Sequence, residues 1–158
     1  MTSIMYIRHG QQTNFKSIDP PIKQYKDDEV KIYFDYDIII SSPYLRCRQT
    51  ANIINKKDVP IYIDTRLSEF HSTDRLKTLN KKFDTDTLKY GPISLAETWE
   101  QFTSRVENFH TDIFDQLVNK KVLVVTHGLV VKHLEETILG NKKYLRGRDV
   151  PYLKGFII

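Results

Sequence analysis

Three short apolar runs constrain this chain more than any other feature: IMYI at residues 4–7, III at 38–40 and VLVV at 122–125. They are continuous and rich in β-branched side chains, with no alternation of apolar and polar positions. A strand with one wet face alternates. A strand covered on both faces reads apolar throughout, as in parallel sheets sandwiched between helices. Further short strands are expected at 61–63 and within 152–158.

The segments between these runs carry helical signals. Ser42-Pro43 offers an N-cap followed by a proline suited to the first helical position. Cys47, Ala51 and Ile54 then recur at the spacing of one helical face. Ser94-Leu95-Ala96-Glu97 has the spacing of a capping box and is expected to open a long helix. Its inward face would carry Trp99, Phe102, Val106, Phe109, Ile113 and Leu117. A third helix is expected after Gly128, with Val130, Leu134 and Ile138 inward. Strands alternating with helices predict an α/β fold, a three-layer α/β/α sandwich around a mostly parallel sheet, as one domain over 1–158. The polar stretches 10–35 and 68–93 read as loops, and long loops in a compact domain are often functional.

Composition narrows the partners. With 40% hydrophobic residues in 158, the chain can bury a core. Its net charge of +4 is spread over pairs such as Lys56-Lys57, Lys81-Lys82 and Lys142-Lys143. That charge favours anionic ligands in general. A lysine–arginine stripe interleaved with aromatics, as nucleic-acid binding would need, is not found. The single cysteine, Cys47, allows no internal disulfide and suits a reducing compartment. No run is long enough to span a membrane, and the N-terminus lacks a signal-peptide pattern. A soluble, cytoplasmic protein with no membrane partner is expected.

Each apolar run ends in polar, reactive residues. The first ends at Arg8-His9-Gly10, the second at Ser41-Ser42-Pro43, and the third at Thr126-His127-Gly128. Ligands of open α/β sheets bind beyond the carboxyl ends of the strands. If the three strands are parallel neighbours, Arg8, His9 and His127 converge on one pocket. Arg46, in the first turn of the next helix, would lean back toward it. Arg48 lies on nearly the opposite side, and the apolar stripe between them does not choose. Arginine forks hydrogen-bond phosphate oxygens in pairs, and backbone N–H groups opening the helix at Gly128 add an anion site. A histidine among cations resists protonation. A neutral imidazole there is a candidate nucleophile toward a phosphoryl group.

These segments, in this order, resemble the histidine phosphatase superfamily, also called phosphoglycerate mutase-like. YIRHG is similar to its N-terminal signature, and DIIISSPYLRCRQTANII to its strand–turn–helix segment, which selects Arg46 over Arg48. RLSEF resembles the segment carrying its acidic residue, here Glu69, with Asp64 and Asp74 as alternative carboxylates. SLAETWEQFTSRVENF and VLVVTHG resemble its long helix and its second-histidine segment. Many members carry a Thr or Ser and then an Asn after the first histidine. Here the order is Gln11-Gln12-Thr13-Asn14, so Thr13 or Asn14 would supply further phosphate contacts.

The resemblance implies a phosphoglycerate mutase-like fold and a phosphatase acting on a phosphorylated small molecule or phosphoprotein. His9 would attack phosphorus to form a phosphohistidine. Arg8, Arg46 and His127 would hold the phosphoryl oxygens, and Glu69 would protonate the leaving oxygen. No metal or cofactor is implied. A mutase-type phosphotransferase is the alternative within the superfamily, and a non-catalytic phosphate-binding module the alternative outside it. The chain is shorter than the glycolytic mutases, and Phe70 follows the acid where mutases carry basic residues. Substrate selection would fall to 11–35 and 70–93, with Tyr25, Tyr33, Phe70 and Lys77 as lining candidates. His71, His110 and His133 read as structural or surface residues, and Cys47 as core.

Overall fold

A computed structural model of the chain describes residues 1–13, 19–72, 74 and 96–158. The apolar runs form β1 (Ser3–Arg8), β2 (Ile38–Ser41) and β4 (Lys121–Thr126), joined by edge strands β3 (Ile61–Ile63) and β5 (Gly155–Ile157). The sheet order is β3-β2-β4-β1-β5. Every pairing is parallel except β1 with β5. Around the sheet lie α1 (Leu45–Ile54), α2 (Trp99–Gln116) and α3 (Gly128–Leu134), the last running into a π-helical turn over Glu135–Leu139. The fold is mixed α/β with a mostly parallel sheet.

The lack of alternation in the strands now has its cause. Ile7, Ile39, Leu123 and Val125 bury against Cys47, Ala51 and Ile54 of α1 on one face. Ile4, Tyr6, Ile40, Val122 and Val124 bury against Phe102, Val106, Phe109 and Ile113 of α2, and Val130 and Leu134 of α3, on the other. Successive residues in the middle of the three central strands point to one apolar layer or the other, so a polar side chain there would be buried at a cost. β5 approaches β1 so closely that a Cβ on Gly155 would stand 1.7 Å from the Tyr6 carbonyl oxygen, and only glycine fits.

Two helix starts differ from expectation. α1 begins at Leu45 with Tyr44 in the N-cap position, not at Ser42-Pro43. The Asp19 carboxylate, distant in sequence, accepts the Leu45 N–H at 3.0 and 3.2 Å and does the capping. α2 begins at Trp99 with the capping box Thr98–Gln101 instead of Ser94–Glu97, and Ser94 and Leu95 lie outside the described residues. Trp99 is half exposed, not inward, its ring leaning on Phe70 and Phe102 at the helix entry. Within the described part of the 10–35 loop, Gln12 bridges to Ile22 and Asp27–Val30 forms a 3-10 turn. No helix among the described residues is long and apolar enough to cross a membrane.

Candidate active site

Strand register assembles the site. Arg8 pairs with Thr126, and Ser41 with Val125, so the three central strands end level. The ladder continues one step further: the His9 N–H donates to the Thr126 carbonyl at 2.9 Å and the Ser42 N–H to the Val125 carbonyl at 3.0 Å. His9 and His127 therefore emerge side by side, ring centroids 5.6 Å apart and edge to face. Both are buried.

Their tautomers follow from their partners. His9 Nδ1 lies 2.7 Å from the Gly10 carbonyl oxygen, which can only accept, so Nδ1 carries the proton. His9 Nε2 is then a lone pair, and it accepts from Arg46 Nε–H at 3.2 Å. His127 Nδ1 accepts from the Arg46 terminal nitrogen at 3.3 Å, which leaves Nε2–H to donate to Ser42 Oγ at 2.8 Å. Ser42 thus orients His127, the task that displaces it from helix capping. Burial, then the charges of Arg46 and Arg8, push His9 down from 6.5 to about 3, against the opposing pull of the Gly10 carbonyl. Burial and Arg46 hold His127 well below 6.5 as well. Both imidazoles are neutral at pH 7.

Arg46 is the hub. It is buried, donates to Glu69 Oε2 at 2.7 Å, and lies 3.7 Å from Asp19 Oδ1. Its guanidinium sits 4.7 Å from the centre of the Tyr44 ring, which also packs on His127 in a T-shaped contact. Thr50, one turn on, donates to the Arg46 carbonyl at 2.7 Å and accepts the Gly10 N–H at 2.8 Å. That hydroxyl ties the chain after His9 to the helix bearing Arg46. Arg8 stacks its guanidinium 4.1 Å over Tyr152 and donates to the Val150 and Arg148 carbonyls at 2.7 and 3.2 Å. Burial lowers its pKa.

Sequence candidates thus divide. Arg8, His9, Arg46, Glu69 and His127 come together. Arg48 instead turns to the exterior, donating to the Pro43 carbonyl. Thr13 is turned to its own loop, its N–H on the Pro21 carbonyl at 2.7 Å. Asn14 and Lys77 lie outside the described residues. Gly128 has a packing reason for being glycine, since a Cβ would stand 2.0 Å from the Gly147 carbonyl oxygen. Asp64 is committed to Arg66 at 2.9 Å. Tyr25 lies at the site, its hydroxyl accepting the Gln11 N–H. Tyr33 does not: it is exposed and lines a separate 570 Å³ cavity between the 27–36 segment and the end of α1. Cys47 is core as expected, and burial pushes its thiol up to about 12.

Sequence reading missed Ser42 as a histidine partner, Asp19, Tyr44, Thr50 and Tyr152. Of the structural and surface places expected for His71, the surface one does not hold. His71 is buried, with Nε2 3.0 Å from the Tyr44 hydroxyl and 3.9 Å from Glu69 Oε2.

Residues 29–150 match the histidine phosphatase superfamily (branch 1). The chain belongs to that superfamily. The matched stretch contains Arg46, Glu69 and His127 but begins downstream of Arg8 and His9, which the β1–β4 register brings to it. A Bacillus subtilis protein named as an uncharacterized phosphatase, PhoE, is 28% identical over 162 residues, covering 92% of this chain and 82% of its own. Among solved structures, YhfR of Bacillus stearothermophilus is similar with a TM-score of 0.65 and 23% identity, over 98% of this chain and 88% of that one. Phosphoglycerate mutase from Bacillus anthracis gives a TM-score of 0.66 at 20% identity, over 92% and 83%. At such identities these two structures speak for the fold, which is phosphoglycerate mutase-like.

Proposed function

We propose that the chain hydrolyses phosphomonoesters, or phosphoryl groups on proteins, through a phosphohistidine on His9. The carrying observation is the orientation of that ring: Nδ1–H is spent on the Gly10 carbonyl, and the Nε2 lone pair opens toward Arg46. A neutral imidazole fixed in one tautomer needs no deprotonation before it attacks.

In this reading Nε2 forms the bond to phosphorus as the ester oxygen departs with its electron pair. The Arg46 N–H groups that now meet the two histidines pass to phosphoryl oxygens, joined by Arg8 and His127. A positioned fork stabilises the charge spread over those oxygens in a loose transition state. Glu69, in its protonated form, donates to the leaving oxygen. As carboxylate it then takes a proton from the water that attacks the phosphohistidine, releasing inorganic phosphate and restoring His9. The residues do the whole of this chemistry, so no metal is part of the reading. A reducing, cytoplasmic setting suits the single buried thiol.

The test is hydrolysis of p-nitrophenyl phosphate in the presence of a chelator, comparing wild type with His9→Ala, together with an alkaline denaturing quench, which preserves a phosphohistidine, followed by acid treatment of the trapped protein. Activity and an acid-labile phosphoprotein in the wild type, both lost in the variant, are the expected results. Full activity in His9→Ala would overturn the mechanism.

A further inference from the structure

We infer that Arg105, locked by Glu97, is a positioning residue for the acid Glu69; this rests on the function proposed above. Glu69 stands on irregular backbone between the 3-10 turn Thr65–Leu67 and the start of α2. Nothing in such a segment fixes a side chain by itself, and a proton donor must be held closely against the leaving oxygen. The fixing comes from outside. Arg105, on the second turn of α2, donates one terminal nitrogen to the Arg66 carbonyl at 2.6 Å and the other to the Glu69 carbonyl at 3.2 Å. Its fork therefore brackets the turn that carries the acid.

Arg105 is itself immobilised. Its Nε donates to both Glu97 oxygens at 3.0 Å, and a terminal nitrogen reaches Glu97 Oε1 at 2.6 Å. The guanidinium lies 4.9 Å from the centre of the Phe102 ring. Glu97 also holds the segment directly, its N–H donating to the His71 carbonyl at 3.1 Å. From the other side, Thr126 Oγ1, next to His127, donates to the Leu67 carbonyl at 2.8 Å. The acid's segment is thus pinned to the strand bearing the second histidine and to α2. Of these pins, the Arg105 fork is the one bonded at Glu69 itself. A lysine could replace its charge but not the planar fork that bonds two carbonyls and a carboxylate at once.

The consequence is selective. p-Nitrophenolate leaves as a stable anion and needs little help from an acid, whereas an alkoxide leaves only with a proton. kcat/KM covers only the steps through phosphoenzyme formation, so later reaction with water does not enter. Glu69→Gln, Arg105→Lys and Glu97→Gln are compared on p-nitrophenyl phosphate and on β-glycerophosphate. Glu69→Gln should lower kcat/KM for β-glycerophosphate by about 100-fold and that for p-nitrophenyl phosphate by much less. Arg105→Lys and Glu97→Gln should share the selectivity at about 10-fold. The p-nitrophenyl ester corrects for any loss of folded protein, because misfolding lowers both substrates alike. If Glu69→Gln is selective and the other two lower both substrates equally, or neither, the positioning role is wrong. If Glu69→Gln is itself unselective, Glu69 is not the acid and the role assigned to Arg105 falls with it.

Discussion

Acid should weaken this fold in a way that one substitution at the centre of the site removes. His9 is 3% exposed and held from 6.5 down to about 3 by burial and by Arg46 and Arg8. Between those values the unfolded chain takes up a proton at this position and the folded chain does not. Stability is therefore complete above pH 6.5 and falls as the pH drops from there toward 3. The slope is about 1.4 kcal/mol per pH unit once well below 6.5, so the loss through His9 alone is about 2 kcal/mol by pH 5. His127 is depressed in the same direction and steepens the wild-type fall. His9→Gln keeps an acceptor for Arg46 and a donor for the Gly10 carbonyl but cannot ionise. Between pH 7.5 and 5 its stability relative to wild type should improve by about 2 kcal/mol, whatever its absolute value. Urea unfolding at a series of pH values, followed by far-UV circular dichroism, measures both. Parallel decline of the two proteins would show that His9 is not kept neutral by its surroundings, and the case for a ready nucleophile would go with it.

Other consequences are equally open to measurement. Thr50→Val removes the hydroxyl joining Gly10 to the Arg46 carbonyl and leaves a buried N–H unpaired. It should cost about 2 kcal/mol, or roughly 4–8 °C in Tm by calorimetry, and lower kcat by loosening His9 against Arg46. Gly128→Ala drives a methyl against the Gly147 backbone. About 2–3 kcal/mol of destabilisation should appear as a lower urea midpoint. Cys47, buried and with its thiol pushed up to about 12, should resist thiol reagents in the native state and react in denaturant.

What could be read in the chain, and what could not, divides by the range of the forces involved. The strands, and the meeting of His9 and His127 just past their ends, were legible because core packing enforces the register. Slipping β1 or β4 by one residue would swap Ile4 and Tyr6 with Ile7, or Val122 and Val124 with Leu123 and Val125, between two differently shaped layers. Register is thereby held, and the residues just past the strand ends must meet. The starts of α1 and α2 were not legible, because local signals there are degenerate, whereas α3 begins at Gly128 as expected. Ser42 satisfies the pattern of an N-cap, yet its oxygen goes to His127 and the capping oxygen comes from Asp19. Ser94–Glu97 and Thr98–Gln101 are equally good boxes in sequence, and the second starts the helix.

The partners that tune the site were still further from view. Tyr152 stacks on Arg8, and Arg105 holds the Glu69 carbonyl, across sequence separations that no local periodicity encodes. The choice between Arg46 and Arg48 shows the same boundary. Both flank Cys47 on one helix, and no apolar pattern separates them. Arg46 is drawn inward because two neutral imidazoles, Asp19 and Glu69 offer acceptors there, all supplied by other segments. Arg48, exposed, donates to the Pro43 carbonyl of its own turn. A buried guanidinium with several paired donors is tolerable, and one with few is not. The site is thus located by apolar packing and completed by polar groups that only the folded chain brings together.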